Sequence, residues 1–285
     1  TYRILDVADL TVDGSLGTGG AVCVVMVLNG APVGLALLAA TAAGMLAGLV
    51  TGLFHTACGI PAILAGILTQ LALYSVNLRI MGFGTGGGKA NLPISVDKYS
   101  LLVSARYVRN VALNNPILIL VIFCAVLIAV LYWFFGTELG CSLRATGANQ
   151  NMARAQGINT NVAKVLGLMI SNGLVALAGG LLAQYQGFSD INMGRGAIVI
   201  GLAAVIIGEV IFSRIFRNFA LKLLSAVIGA IIYYIVMVFV LRLGLSTDDL
   251  KLLTALVVAL FLTIPYWKGK YFTKTSVKKG EKNHA

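Results

Sequence analysis

Charge is scarce in this chain: of its 285 residues only 11% are Asp, Glu, Lys or Arg, where a soluble domain carries about a quarter. So little polar surface cannot wrap a core of this size in water. That excludes a soluble globular enzyme and leaves hydrocarbon around most of the exterior. Cysteine and histidine are few as well. Cys23, Cys58, Cys124 and Cys141 are scattered without a CxxC pair, and His55 and His284 do not complete a ligand set with them. Neither a disulfide framework nor a metal site is expected. No nucleophile and base form a recognisable constellation, which counts against an enzyme. No span carries a carboxylate or histidine placed as a coupling group, which counts against a proton- or sodium-driven carrier. Short stretches of alternating apolar and polar residues are missing too, and with them the pattern of a membrane barrel.

Apolar residues and glycine are what the chain has in excess: 59% hydrophobic residues, a mean hydropathy of +0.93 and 33 glycines. Glycine weakens helices in water but lets helices in lipid pack closely. The expectation is an all-α, polytopic transmembrane helical bundle. Continuous apolar runs at 32–54, 60–80, 117–135, 165–183 and 220–240 are long enough to span a bilayer, and those at 197–212 and 252–267 are shorter. A further run, 14–28, would rise only about 22 Å as a helix. It follows Asp6, Asp9, Thr11 and Asp13, and is expected to be a broken or re-entrant helix near the N-terminus, where backbone is covered by protein or lines a cavity. The chain opens at Thr1 without a signal-peptide pattern, so a preceding segment is expected.

The formal net charge is +11, and Lys268, Lys270, Lys274, Lys278, Lys279 and Lys282 crowd the last 18 residues. Basic residues just beyond a final span mark a cytoplasmic tail, so the charge is read as topology and not as nucleic-acid binding. This divides the chain into a single transmembrane domain, 1–267, and a basic cytoplasmic tail, 268–285. Counting back from the tail puts 136–161 and 214–218 in the cytoplasm, and 81–115, 185–194 and 243–247 outside. Lys89, Lys98, Arg106 and Arg109 in the first outer segment run against the rule.

Several features invite function. The glycine-rich run Gly82 to Lys89 lacks Walker spacing, because Phe83 stands where the first glycine belongs and Ala90 where Ser or Thr belongs; it reads as an outer turn. If ATP is used, another chain binds it. Gln70, Tyr74 and Asn77 recur at i, i+4 and i+7, on one helical face, and serve either interhelical hydrogen bonding or a substrate pathway. Gly44, Gly48 and Gly52 form a flat packing face. Asn172 and Glu209 are polar groups in or near spans with no assigned partner. The polar segment 140–159 contains a short helix at about 148–155 closed by Gly157, and such a helix needs the bundle or a partner to dock on.

In this segment Gly140, Arg144, Ala145, Gly147, Asn149, Ala153, Gly157 and Ile158 follow the pattern G…RA-x-G-x-N…A…GI. Here the chain resembles the membrane permeases of bacterial ABC importers, in the branch of branched-chain amino-acid, ribose and nucleoside systems. Asp9 to Ser15 is similar to the family's entry to a broken second helix, with Asp13 inserted before the glycine. Gly194 to Gly208 is similar to its glycine-bounded A-A-x-x-I-G helix, where Glu209 replaces a second glycine. The runs 2–14 and 60–69 look most like a group associated with tryptophan or tyrosine uptake. The resemblance implies a bacterial inner-membrane permease with a cytoplasmic C-terminus and an additional helix upstream. It implies a second permease copy, cytoplasmic ATPase subunits carrying the ATP, and an extracytoplasmic substrate-binding protein, with no cofactor in this chain and no nucleic acid. Substrate would pass near Asp13, Ser15, Gln70, Tyr74 and Asn77. A coupling helix with Arg144, Gly147, Asn149, Ala153, Arg154 and Gly157 would meet the ATPase. The alternatives at this point are an autonomous carrier or channel, a membrane scaffold, or an importer of a branched-chain amino acid, nucleoside or sugar.

Overall fold

The computed structural model describes residues 1, 3–83, 87–95, 98–99, 101–104, 115–212 and 218–242, with isolated positions between 252 and 263. The basic tail, most of the 252–267 run, the 243–247 segment, Arg214, Gly84 to Gly86, Arg106 and Arg109 lie outside the described residues.

Helices form at the apolar runs that fall within the described residues: α1 Val12–Leu28, α2 Val33–Thr56 and α3 Ala62–Met81 are followed by the strand β1 Asn91–Pro93 and by α4 Pro116–Gly136. Two shorter helices, α5 Glu138–Ala148 and α6 Gln150–Ala155, precede α7 Thr160–Gln186, the strand β2 Phe188–Asp190, α8 Ala197–Phe212 and α9 Phe219–Arg242. Five helices are long and apolar enough to cross a membrane: α2, α3, α4, α7 and the Phe219–Phe239 part of α9. The fold is an all-α, multi-span bundle. α4 shows why lipid must surround it: Ile117, Val121, Ile122, Val126, Val130 and Trp133 are all exposed along one continuous apolar helix.

The chain divides into two units, Thr1–Ala197 and Ile198–Ala285. At the centre of the first lies α1, in contact with α2, α3 and α7. Ten of its 17 residues are buried, most of them Gly, Ala, Ser or Thr, and small residues let neighbouring backbones come close. It is continuous over its 17 residues and shorter than the five spans. The Gly44, Gly48 and Gly52 face of α2 lies against α7 at Asn172, Leu168 and Val165; a side chain at Gly44 or Gly48 would collide with the α7 backbone, and one at Gly52 would press tightly on Val165.

β1 and β2 pair antiparallel, Leu92 opposite Ser189. They join the segments 81–115 and 185–194, which charge counting expects on one side of the membrane. Beside them Leu102 N–H donates to Gln184 Oε1 at 3.2 Å, and Val103 packs on Cys23, Val27, Leu37 and Leu181. In the second unit α8 and α9 meet through Gly208 against the Ser225 carbonyl and Gly229 against the Ala204 carbonyl. Tyr233 is buried there with Ala203, Ile207, Met237 and Val258.

Candidate functional site

The polar stripe of α3 opens onto a cavity of about 270 Å³ formed with the start of α1 and the segment after β2. Gln70, Tyr74 and Asn77 line it from α3, Asp13 and Gly14 from α1, and Ile191 and Arg195 from the loop leading to α8. Helical periodicity accounts for the α3 face. The other two walls come from packing. Gly194 sits directly on the carbonyl of Asp13, too close for a side chain, and Gly196 N–H donates to Asp13 Oδ2 at 2.9 Å. The loop is thereby fastened to the first turn of α1, and Arg195, between the two glycines, is held at the cavity. Asn77 is 2% exposed; its Nδ2 donates to the Gly14 carbonyl at 3.4 Å, while its Oδ1 has no partner among the described residues. Tyr74 is exposed. The cavity thus presents one carboxylate, one guanidinium, two amides and a phenol beside the apolar Leu71 and Ile191, a set suited to orienting a small polar solute.

Of the five pathway residues expected from the sequence, the structure brings Asp13, Gln70, Tyr74 and Asn77 together. Ser15 lies elsewhere: fully buried, its Oγ donates to Asn172 Oδ1 at 2.6 Å. Sequence reasoning missed Arg195 as a cavity residue, although a cation between two glycines just before an apolar helix was visible. It also left Asn172 without a partner. Asn172 Nδ2 donates to Asp9 Oδ2 at 2.7 Å, and Asp9 Oδ1 accepts from Thr11 N–H at 3.0 Å. Asp9, in the stretch before α1 and outside the spans, is thus a buried carboxylate, 3% exposed. The Asp9, Asn172 and Ser15 chain, with Thr11 and Thr51 hydroxyls bonded at 2.8 Å, ties α7 and α2 to α1 and its approach.

The second group of expected residues lies around α6. The helix begins at Gln150, not at 148, because Asn149 is extended (φ −158°, ψ 106°) and its Oδ1 accepts from Asn151 and Met152 N–H as an N-cap. Ala148 ends α5, a helix the polar composition had not announced. At the other end Gly157 has φ +82°, with Ile158 N–H donating to the Ala153 carbonyl and Gly157 N–H to the Arg154 carbonyl, the pairing that closes a helix through a left-handed glycine. Ala153 is buried, and Arg154 Nε donates to Thr160 Oγ1 at 2.9 Å, fixing α6 to the first turn of α7. Gly147 packs against the Ile4 carbonyl, where a side chain would collide, and Arg144 is exposed. Asn149 and Gly157 are also exposed, so α6 offers a stiff, capped outer face.

Among the described residues no three His, Cys, Asp or Glu side chains gather as a metal-ion set, and all four cysteines are free. Residues 1–264 match the family described as branched-chain amino acid transport system / permease component. A tyrosine transport system permease protein of Clostridioides difficile (strain R20291) is 40% identical over 262 residues, covering 92% of this chain and 83% of that protein. An uncharacterized protein of Rickettsia prowazekii (strain Madrid E) is 36% identical over 267 residues, covering 92% and 89%. An autoinducer 2 import system permease protein of Salmonella typhimurium is 30% identical over 204 residues, covering 70% of this chain and 55% of that protein. No solved structure matches.

Proposed function

Because this chain belongs to the family of branched-chain amino acid transport system permease components, the membrane subunits of ABC importers, we propose that it carries an aromatic amino acid of the tyrosine or tryptophan kind inward across the bacterial inner membrane. As a permease component it is a transport subunit and not an enzyme, and ATP is hydrolysed on a separate ATPase subunit. Two copies form the pathway, an extracytoplasmic binding protein delivers the solute, and the C-terminus with its basic 268–285 tail is cytoplasmic. Residues 1–267 act as one permease domain, in which the short helix α1 and the stretch before it are the broken second helix of the family.

One observation carries the substrate reading: a chain similar to a tyrosine permease has Asp13, Gln70, Tyr74, Asn77 and Arg195 around one cavity. A zwitterion meets a group of each charge there, and Tyr74 with Leu71 and Ile191 supplies surface for a ring. Asp13 and Gly14 add the start of α1 to this pathway, and Ser15 supports it from behind through Asn172.

The helix α6, with Arg144, Gly147, Asn149, Ala153, Arg154 and Gly157, is the coupling helix. ATP-driven closure of the ATPase pair moves it as a rigid body, which its caps at both ends and the Arg154–Thr160 bond permit. An autonomous carrier would draw on Asp9 as its coupling carboxylate, but both Asp9 oxygens already accept hydrogen bonds that fasten the bundle.

Uptake into proteoliposomes holding the permease, its ATPase and its binding protein tests the reading. Labelled L-tyrosine should accumulate with ATP, and the Gln70→Leu, Asn77→Leu double variant should transport roughly tenfold less, the effect of two lost polar contacts. Unaltered uptake in that variant at normal expression contradicts the pathway assignment.

A further inference from the structure

At the α6 end of the first unit a second cavity, of about 380 Å³, opens between the stretch before α1, the α2–α3 turn and the start of α7. Asp6, His55, Pro61, Ile63, Gln150 and Lys164 line it. Lys164 is 9% exposed. Its stem is buried while its ammonium reaches the cavity, and among the described residues none forms an ion pair or hydrogen bond with Lys164. The charged neighbour acting on it, Arg154 of α6, has the same sign. Asp6, across the same cavity, is likewise unbonded to Lys164, and it is the one non-glycine residue with positive φ (+52°) among the described residues. His55 Nδ1 is engaged with the Ile60 carbonyl at 2.9 Å.

A cation and an anion thus line one cavity without closing on each other. A phosphate or other polyanion would satisfy Lys164 but be repelled by Asp6. A zwitterion satisfies both. We propose that this cavity is a second amino-acid site, with the ligand's carboxylate on Lys164, its ammonium on Asp6 and its side chain against Pro61 and Ile63. The choice of amino acid, the solute imported through the first cavity, rests on the function proposed above. Gln150 opens α6 and Arg154 lies on it, so a carboxylate that neutralises Lys164 also relieves its repulsion with Arg154. Occupancy therefore favours the seat of α6 seen in this structure, and any movement of α6 changes the affinity in return.

Saturation binding of labelled L-tyrosine to the full chain, purified in detergent, tests the assignment. Lys164→Gln should weaken one class of tyrosine binding roughly tenfold or more, Lys164→Arg should retain it, and Gln70→Leu in the first cavity should leave that class untouched. Tyramine, which lacks the carboxylate, and 3-(4-hydroxyphenyl)propionate, which lacks the ammonium, should compete poorly. If Lys164→Gln does not fold, Asp6→Asn carries the test: it should weaken tyrosine binding but not binding of the propionate. Equal tyrosine affinity in the folded Lys164→Gln or Asp6→Asn protein overturns the proposal, and so does competition by tyramine, the propionate or orthophosphate as strong as by tyrosine. Uptake separates the two readings. Tyrosine uptake without a Lys164-dependent class refutes the second site alone, whereas such a class without uptake supports the site and refutes the transport substrate.

Discussion

Asn172 joins three partners in the first unit through its side-chain amide. It donates to the Asp9 carboxylate and to the Leu168 carbonyl, and accepts from the Ser15 hydroxyl. Replacing it with leucine leaves a buried carboxylate and a buried hydroxyl without their partner, which costs about 1–3 kcal/mol in water-soluble proteins and less in bilayers, up to about 1.7. Asn172→Leu should therefore lower the thermal unfolding midpoint of the purified permease clearly, and Ser15→Ala less, as read by scanning fluorimetry; equal midpoints for wild type and Asn172→Leu would contradict this network. The network was not legible in the sequence because its members stand 157 and 163 positions apart and nothing local links them. The stripe Gln70, Tyr74 and Asn77 was legible because one helix sets its spacing. Arg195 falls between these cases: its flanking glycines were plain, but only their contacts with Asp13 bring it to the cavity.

At the scale of elements, apolar length located the long helices to within a few residues, since each needs enough backbone satisfied inside lipid. The polar segment was harder. Composition alone gave a helix ended by Gly157, which the left-handed glycine makes true, but hid α5 and placed the start of α6 two residues early. A capping asparagine looks the same in a sequence whether it opens a helix or sits inside one. Both caps of α6 predict how it works if it is the coupling helix. Asn149→Ala and Gly157→Ala should each destabilise it by about 1 kcal/mol. ATPase co-purification and ATP-driven uptake should then fall together, while the amount of permease in the membrane stays unchanged. Variants that lose neither would show that α6 does not transmit the motion.

For the whole molecule, small residues at helix contacts and apolar residues on the outside follow from the same scarcity of charge. In lipid no water drives helices together, so close backbone contact must do so. The seams of Gly44, Gly48 and Gly52 against α7, and of Gly208 and Gly229 between α8 and α9, supply it. The outward apolar face of α4 meets hydrocarbon. What the bundle does depends on what it assembles with, and this can be observed directly. Affinity purification from native membranes in mild detergent, with every stoichiometric partner identified by mass spectrometry, should recover two copies of this chain, a Walker-type ATPase and an extracytoplasmic binding protein carrying an aromatic amino acid. Reproducible recovery of this chain alone, from membranes in which the ATPase is expressed, would contradict the importer account.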